Sequence, residues 1–154
     1  MSYDLVHFNL AIGKQPLDHP SMAGFTSLLA EVNRLAETSP GFLWTPADGE
    51  AGDAVATFGN PLVLANISTW RSLDDLRRFV YEGLHGGALK QRREWFEPIT
   101  GPAYVLWWGS AGHRPNWIEA KQRLQKLEIL GPTPHAFTFT HAFDPSGEPL
   151  PVAQ

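Results

Sequence analysis

The chain has 154 residues, 43% of them hydrophobic, a formal net charge of -4 and no cysteine. Length and composition suit one globular domain with a sizeable core. The acidic balance, with no basic run beyond Arg92 and Arg93, gives nucleic acid no footprint, and the lack of cysteine excludes disulfides, thiolate metal sites and Cys nucleophiles. No apolar run approaches the ~20 residues of a membrane span. The first apolar run contains Asp4 and His7, unlike a signal peptide. A soluble, cytoplasmic protein without membrane contact is expected.

Residues 3–12 alternate and predict a strand. Val6, Phe8, Leu10 and Ile12 form one face; Leu5, His7, Asn9 and Ala11 form the other, mixed face. Pro20 suits a first helical turn, and Met22, Phe25, Leu29, Val32 and Leu35 repeat at helical spacing until Ser39-Pro40-Gly41. Residues 42–45 predict a short strand, resumed over 55–58 after an acidic, Gly-containing loop. Residues 62–70 predict a second two-faced strand, with Val63, Ala65 and Ile67 against Leu64, Asn66, Ser68 and Trp70. Ser72 to Asp75 resembles a capping box opening a helix with Leu76, Phe79 and Val80. Residues 102–109 predict a third clear strand. Asn116 to Glu119 opens a helix that Gly131-Pro132 stops, 136–143 predicts a last strand, and the tail from Asp144 reads as loose.

The first six elements give βαββαβ, the split pattern of ferredoxin-like folds, with an added C-terminal helix and strand. The expected class is therefore α+β, with residues 1–143 as a single domain and 144–154 as a loose tail. In this arrangement the Val6/Phe8/Leu10 and Val63/Ala65/Ile67 faces go under helices. The mixed faces look into a dimeric α/β barrel closed by a second copy, so a homodimer is expected.

The stretch from Tyr81 to Phe96 carries the most suggestive chemistry. As a helix it would place His85, Leu89, Arg92 and Phe96 within roughly a 60° arc. A face mixing imidazole, guanidinium and apolar groups suits the wall of a polar cavity. His85 is open to three readings: a base, a haem ligand, or a residue capping a turn after Gly83. Arg92 suits a carboxylate or enolate through its fork of donors, or an ion pair with Asp75, Glu94 or Glu97. His7, Asn9 and Asn66 are candidate ligand contacts if their strand faces look inward. Trp44, Trp95 and Trp107 are candidate pocket walls or core residues. His113, in a loop after a strand, is a further candidate.

No His-x-x-His or His-x-x-x-His spacing occurs, so a metal has no local motif. A haem would need an axial His and an apolar slot, for which His85 or His113 could serve. The hydrolase elbow Gly-x-Ser-x-Gly and the nucleotide-binding Gly motifs are absent.

Several runs are more specific: Ser39-Pro-Gly-Phe-Leu-Trp44, Arg93-Glu-Trp-Phe96 with Tyr81 and His85 upstream, Leu106-Trp-Trp108, Gly112-His-Arg-Pro115, and Gly131-Pro-Thr-Pro134 leading into Ala136-Phe-Thr-Phe139. In these the chain resembles the family called domain of unknown function 3291, of the dimeric α/β-barrel superfamily. That superfamily includes antibiotic-biosynthesis monooxygenases, haem-degrading oxygenases, chlorite dismutases and muconolactone isomerases. The resemblance implies a fold, and leaves the cofactor open between none and haem. Two functions follow as expectations. One is a monooxygenase-like barrel acting on an aromatic or polyketide-like molecule, with His85 moving a proton and Arg92 steadying an anion. The other is a non-catalytic dimer that binds haem or a small apolar or aromatic ligand.

Overall fold

The computed structural model describes residues 2–83 and 92–151. Four strands form one antiparallel sheet: β1 (Tyr3–Ile12), β2 (Phe42–Trp44), β3 (Val63–Trp70) and β4 (Tyr104–Ser110), in the order β2-β3-β1-β4. The described residues also form five α-helices: α1 (Ala23–Thr38), α2 (Ala54–Phe58), α3 (Leu73–Arg78), α4 (Arg92–Trp95) and α5 (Trp117–Leu130). The class is thus mixed α+β, as expected. No helix among the described residues is long and apolar enough to cross a membrane.

Register decides the faces. Phe8 lies opposite Ile67 and Val105, while His7 lies opposite Ser68 and Leu106. Because side chains alternate along a strand, cross-strand partners share a face. The Val6/Phe8/Leu10 face joins Ile67, Val105 and Trp107 in a core closed by Ala120 and Leu127 of α5 and by Phe58 of α2. The Phe58 and Phe8 rings stack 5.6 Å apart. The expectation that this face lies under helices holds, but the helices are α2 and α5.

The opposite face is also half covered by its own chain. Leu5, Trp70 and Leu106 pack with Leu73 and Leu76 of α3 and with Phe137, Phe139 and Ala142. Two buried apolar layers therefore flank the sheet. Beyond His7 the cover from described residues stops, and Asn9 and Asn66 are exposed. Helix α1 carries its apolar stripe at Phe25, Leu28, Leu29, Val32 and Leu35, yet none of its residues is fully buried.

Local chemistry explains where the elements depart from the expected ones. Residues 54–58 are helical because Asp53 caps them, accepting from the Ala56 N–H at 3.1 Å, and Gly59 ends them in the left-handed region at φ 71°. The last strand, expected over 136–143, shrinks to a bridge in which Leu106 and Phe137 exchange both backbone hydrogen bonds at 2.9 Å. After it, contacts among Thr138, Thr140 and His141 hold a turn instead of a ladder. The tail expected to be loose folds back: the Asp144 carboxylate accepts from Ser146 and Glu148, and the Leu150 N–H donates to the Ala142 carbonyl at 2.8 Å. Beyond α3 the chain widens into a π turn over Phe79–Gly83.

Gly41, just before β2, could not be another residue without a shift. Its φ is 86°, and an added Cβ would collide with the Asp75 carboxylate. That carboxylate accepts the Ser72 hydroxyl at 3.0 Å, while the Ser72 oxygen caps the Asp75 N–H at 3.1 Å. The turn into β2 thus rests directly on the cap of α3.

Candidate functional site

The described residues place the sequence candidates in four locations. His7, Asn9 and Asn66 share the half-covered sheet face. Asn9 pairs directly with Asn66 on β3 and with Tyr104 on β4; His7 pairs with Ser68 on β3. The result is a short polar strip across three neighbouring strands. Its outer end, Asn9 and Asn66, is open, and its inner end, His7, is 8% exposed.

At the inner end the imidazole lies between rings. Tyr104 meets it edge-on at 6.2 Å and Phe139 tilts against it at 6.2 Å. The Tyr104 hydroxyl accepts the Phe139 N–H at 3.2 Å, which fixes both walls. Opposite, the Ser68 hydroxyl accepts the Trp70 indole N–H at 2.8 Å. Burial pushes the His7 pKa from its ordinary 6.5 down to about 4, with no hydrogen bond or charge contributing. Near neutral pH the ring is therefore an uncharged donor–acceptor, one N–H and one lone pair.

Trp44 and Trp107 lie on the other face. The pairing of β2 with β3 shifts register between Phe42 and Trp44, so these two residues oppose Trp70 and Thr69. That irregularity turns Phe42 onto the His7 face, edge-on to Trp70 at 5.5 Å, and Trp44 toward the Phe8 core. Trp107 is fully buried in that core, and its indole N–H lacks a partner among the described residues. Arginines cover both indoles: Arg114 sits 5.6 Å from the Trp44 ring and Arg123 5.5 Å from that of Trp107. Open from sequence as pocket walls or core residues, these two tryptophans pack in the Phe8 core, across the sheet from His7 and Asn66.

Trp95 occupies a third place, buried against α1. Its ring packs with Phe25 at 5.6 Å, and a Cβ on Gly24 would come within 3.2 Å of it. It is a packing residue that lets α1 approach α4. His113, the fourth, sits in the exposed loop after β4, where its Nε2 meets the Glu119 carboxylate at 2.8 Å. Asn116 caps α5, accepting from the Glu119 N–H at 2.9 Å, which leaves the Glu119 side chain to His113. An exposed His already bound to a carboxylate does not fit the open apolar slot that a haem requires. Arg114 beside it pairs with Glu50 at 3.0 Å, tying this loop to the acidic loop before α2.

His85 lies outside the described residues, and Arg92 opens α4. The face on which they were expected to meet is therefore not part of the described site. Among the described residues no group of three His, Asp or Glu could hold a metal ion.

Tyr104, Ser68 and Phe139 were not singled out from sequence, although alternation put Ser68 on the Asn66 face. Their place beside His7 depends on cross-strand register and on a segment 130 residues downstream.

An α+β domain, one antiparallel sheet with apolar layers on both sides and a polar strip at its open end, is the class these features define. The chain belongs to the family described as Domain of unknown function (DUF3291), which matches residues 4–152. No curated protein and no solved structure shows significant similarity to it.

Proposed function

We propose that this protein binds a small aromatic or apolar molecule on the strip formed by His7, Asn9, Asn66 and Tyr104, within a ferredoxin-like domain that dimerises over it. The carrying observation is the strip itself. Polar side chains stand on central strands, in register; aromatic rings flank the inner end at His7, and Asn9 and Asn66 at the outer end are exposed.

The strand order β2-β3-β1-β4, with every pair antiparallel, supports the ferredoxin-like reading. The half-covered stripe of α1 supports a homodimer, since such a stripe gains by burial against another surface. Because α2 and α5 already close the Phe8 face, the second copy would meet the open half around Asn9, Ala11, Leu64 and Asn66.

At the His7 strip itself, binding is favoured over acid–base chemistry. A base works best with a pKa near the working pH, and His7 titrates well below it. Turnover would rest on His85 and Arg92. Extraction of gently purified protein followed by mass spectrometry, against an empty-vector control, tests the reading. A recurrent aromatic metabolite that is lost in the Asn9→Lys variant is expected. A Soret band would instead favour the haem alternative, and an extract matching the control in every preparation would count against bound ligand.

A further inference from the structure

Resting on that binding reading, we infer the ligand's class: it presents an uncharged donor–acceptor group, of amide or hydroxyl type, to His7, and carboxylate or ammonium groups are rejected there. Three features carry this. First, the inner end holds a buried neutral imidazole, whose shift has burial as its sole cause; no described residue supplies it with a hydrogen bond or a charge. It offers one donor and one acceptor, on different edges of the ring. A group that can both accept and donate suits whichever ring nitrogen faces the strip, in either tautomer, and buried polar groups gain most from being satisfied.

Second, the mouth repeats the same chemistry. Asn9 and Asn66 are paired across β1 and β3, and each carboxamide both donates and accepts. Successive same-face positions are about 7 Å apart along a strand, so a single-ring molecule would reach from the carboxamides to the imidazole. Third, the described residues around His7 offer an ion no free partner. The rings of Tyr104 and Phe139 flank His7. A described cation at these walls, Arg77, is already committed: it donates to the Phe139 carbonyl at 3.2 Å, faces Asp74 at 3.8 Å and lies over the Phe139 ring at 6.0 Å. An ionised ligand group would lose its water beside an uncharged ring without gaining a countercharge from the described residues.

The test is an NMR titration of the full-length, nitrogen-15-labelled protein at pH 7, reading the His7 ring nitrogens and the Asn9 and Asn66 side-chain amides. Benzamide, phenol, benzoate and benzylamine serve as probes. Benzamide and phenol should move all three residues in a saturable way, and the two ions should not. His7→Gln, which keeps a donor and an acceptor, should retain this preference; His7→Phe should lose it. Benzoate or benzylamine moving the same signals as strongly as benzamide would overturn the ligand class while leaving the face as a binding face. A preference surviving in folded His7→Phe would remove His7 from the selection. If no probe moves Asn9, Asn66 or His7, the underlying binding reading fails with it.

Discussion

Burying His7 as a neutral ring ties the stability of the whole domain to pH. The ring titrates at about 4 in the fold and at an ordinary 6.5 when unfolded. Between those values the unfolded chain binds the extra proton, so stability rises with pH across the window. The contribution is fully present above 6.5 and is lost as pH falls toward about 4. A gap of 2.5 units corresponds to about 3 kcal/mol in full, and about 2 kcal/mol is already lost at pH 5. For a domain of this size 2 kcal/mol amounts to roughly 4–8 °C in melting temperature. Carboxylates titrate over the same range, so the informative quantity is a difference between proteins. Urea unfolding of wild type and His7→Phe at pH 7 and pH 5 isolates it. The wild type should lose about 2 kcal/mol more than the variant between the two pH values. Equal losses, or a His7 proton resonance titrating near 6.5 by NMR, would refute the buried neutral imidazole and the ligand argument built on it.

Other expectations are local. Gly41→Ala forces a side chain into positive φ and onto the Asp75 carboxylate, and should destabilise by at least about 2 kcal/mol in urea unfolding. Asp75→Ala in the same chain should recover part of that loss. Trp95→Ala removes a buried indole from the α1–α4 contact and should cost about 3–5 kcal/mol, as for a core residue. Asn116→Ala removes the cap of α5 and should cost about 1 kcal/mol. Arg114→Ala breaks an exposed pair and an exposed stacking contact, so thermal melting should register 1 kcal/mol or so at most.

Alternation was enough to read β1, β3 and β4 and to sort the residues of β1 between its two faces, because a strand's period of two is enforced wherever one face is buried. The caps at Ser72 and Asn116 were legible for a similar reason: three-residue spacing is local chemistry. What could not be read was non-local. The register irregularity in β2 sends Trp44 through the sheet, and no pattern within Phe42-Leu43-Trp44 announces it. Residues 55–58 alternate like a strand, yet Asp53 and Gly59 close them into one helical turn. The cover over His7 comes from Phe139, whose segment looked like a strand because Phe137 and Phe139 alternate; only Phe137 finds a strand to pair with. For the same reason the candidate tryptophans, all read as pocket walls or core, divided among separate packing clusters.

The claim on which the account turns is that the open half of the His7 face is a shared, ligand-holding surface. Native mass spectrometry of gently prepared wild type and Asn66→Lys measures this most directly. The account predicts a wild-type dimer of the 17.1 kDa chain carrying a small molecule, with both the pairing and the adduct lost when a charge is placed at position 66. A bare monomer in the wild type, or a dimer and adduct indifferent to Asn66→Lys, would contradict it.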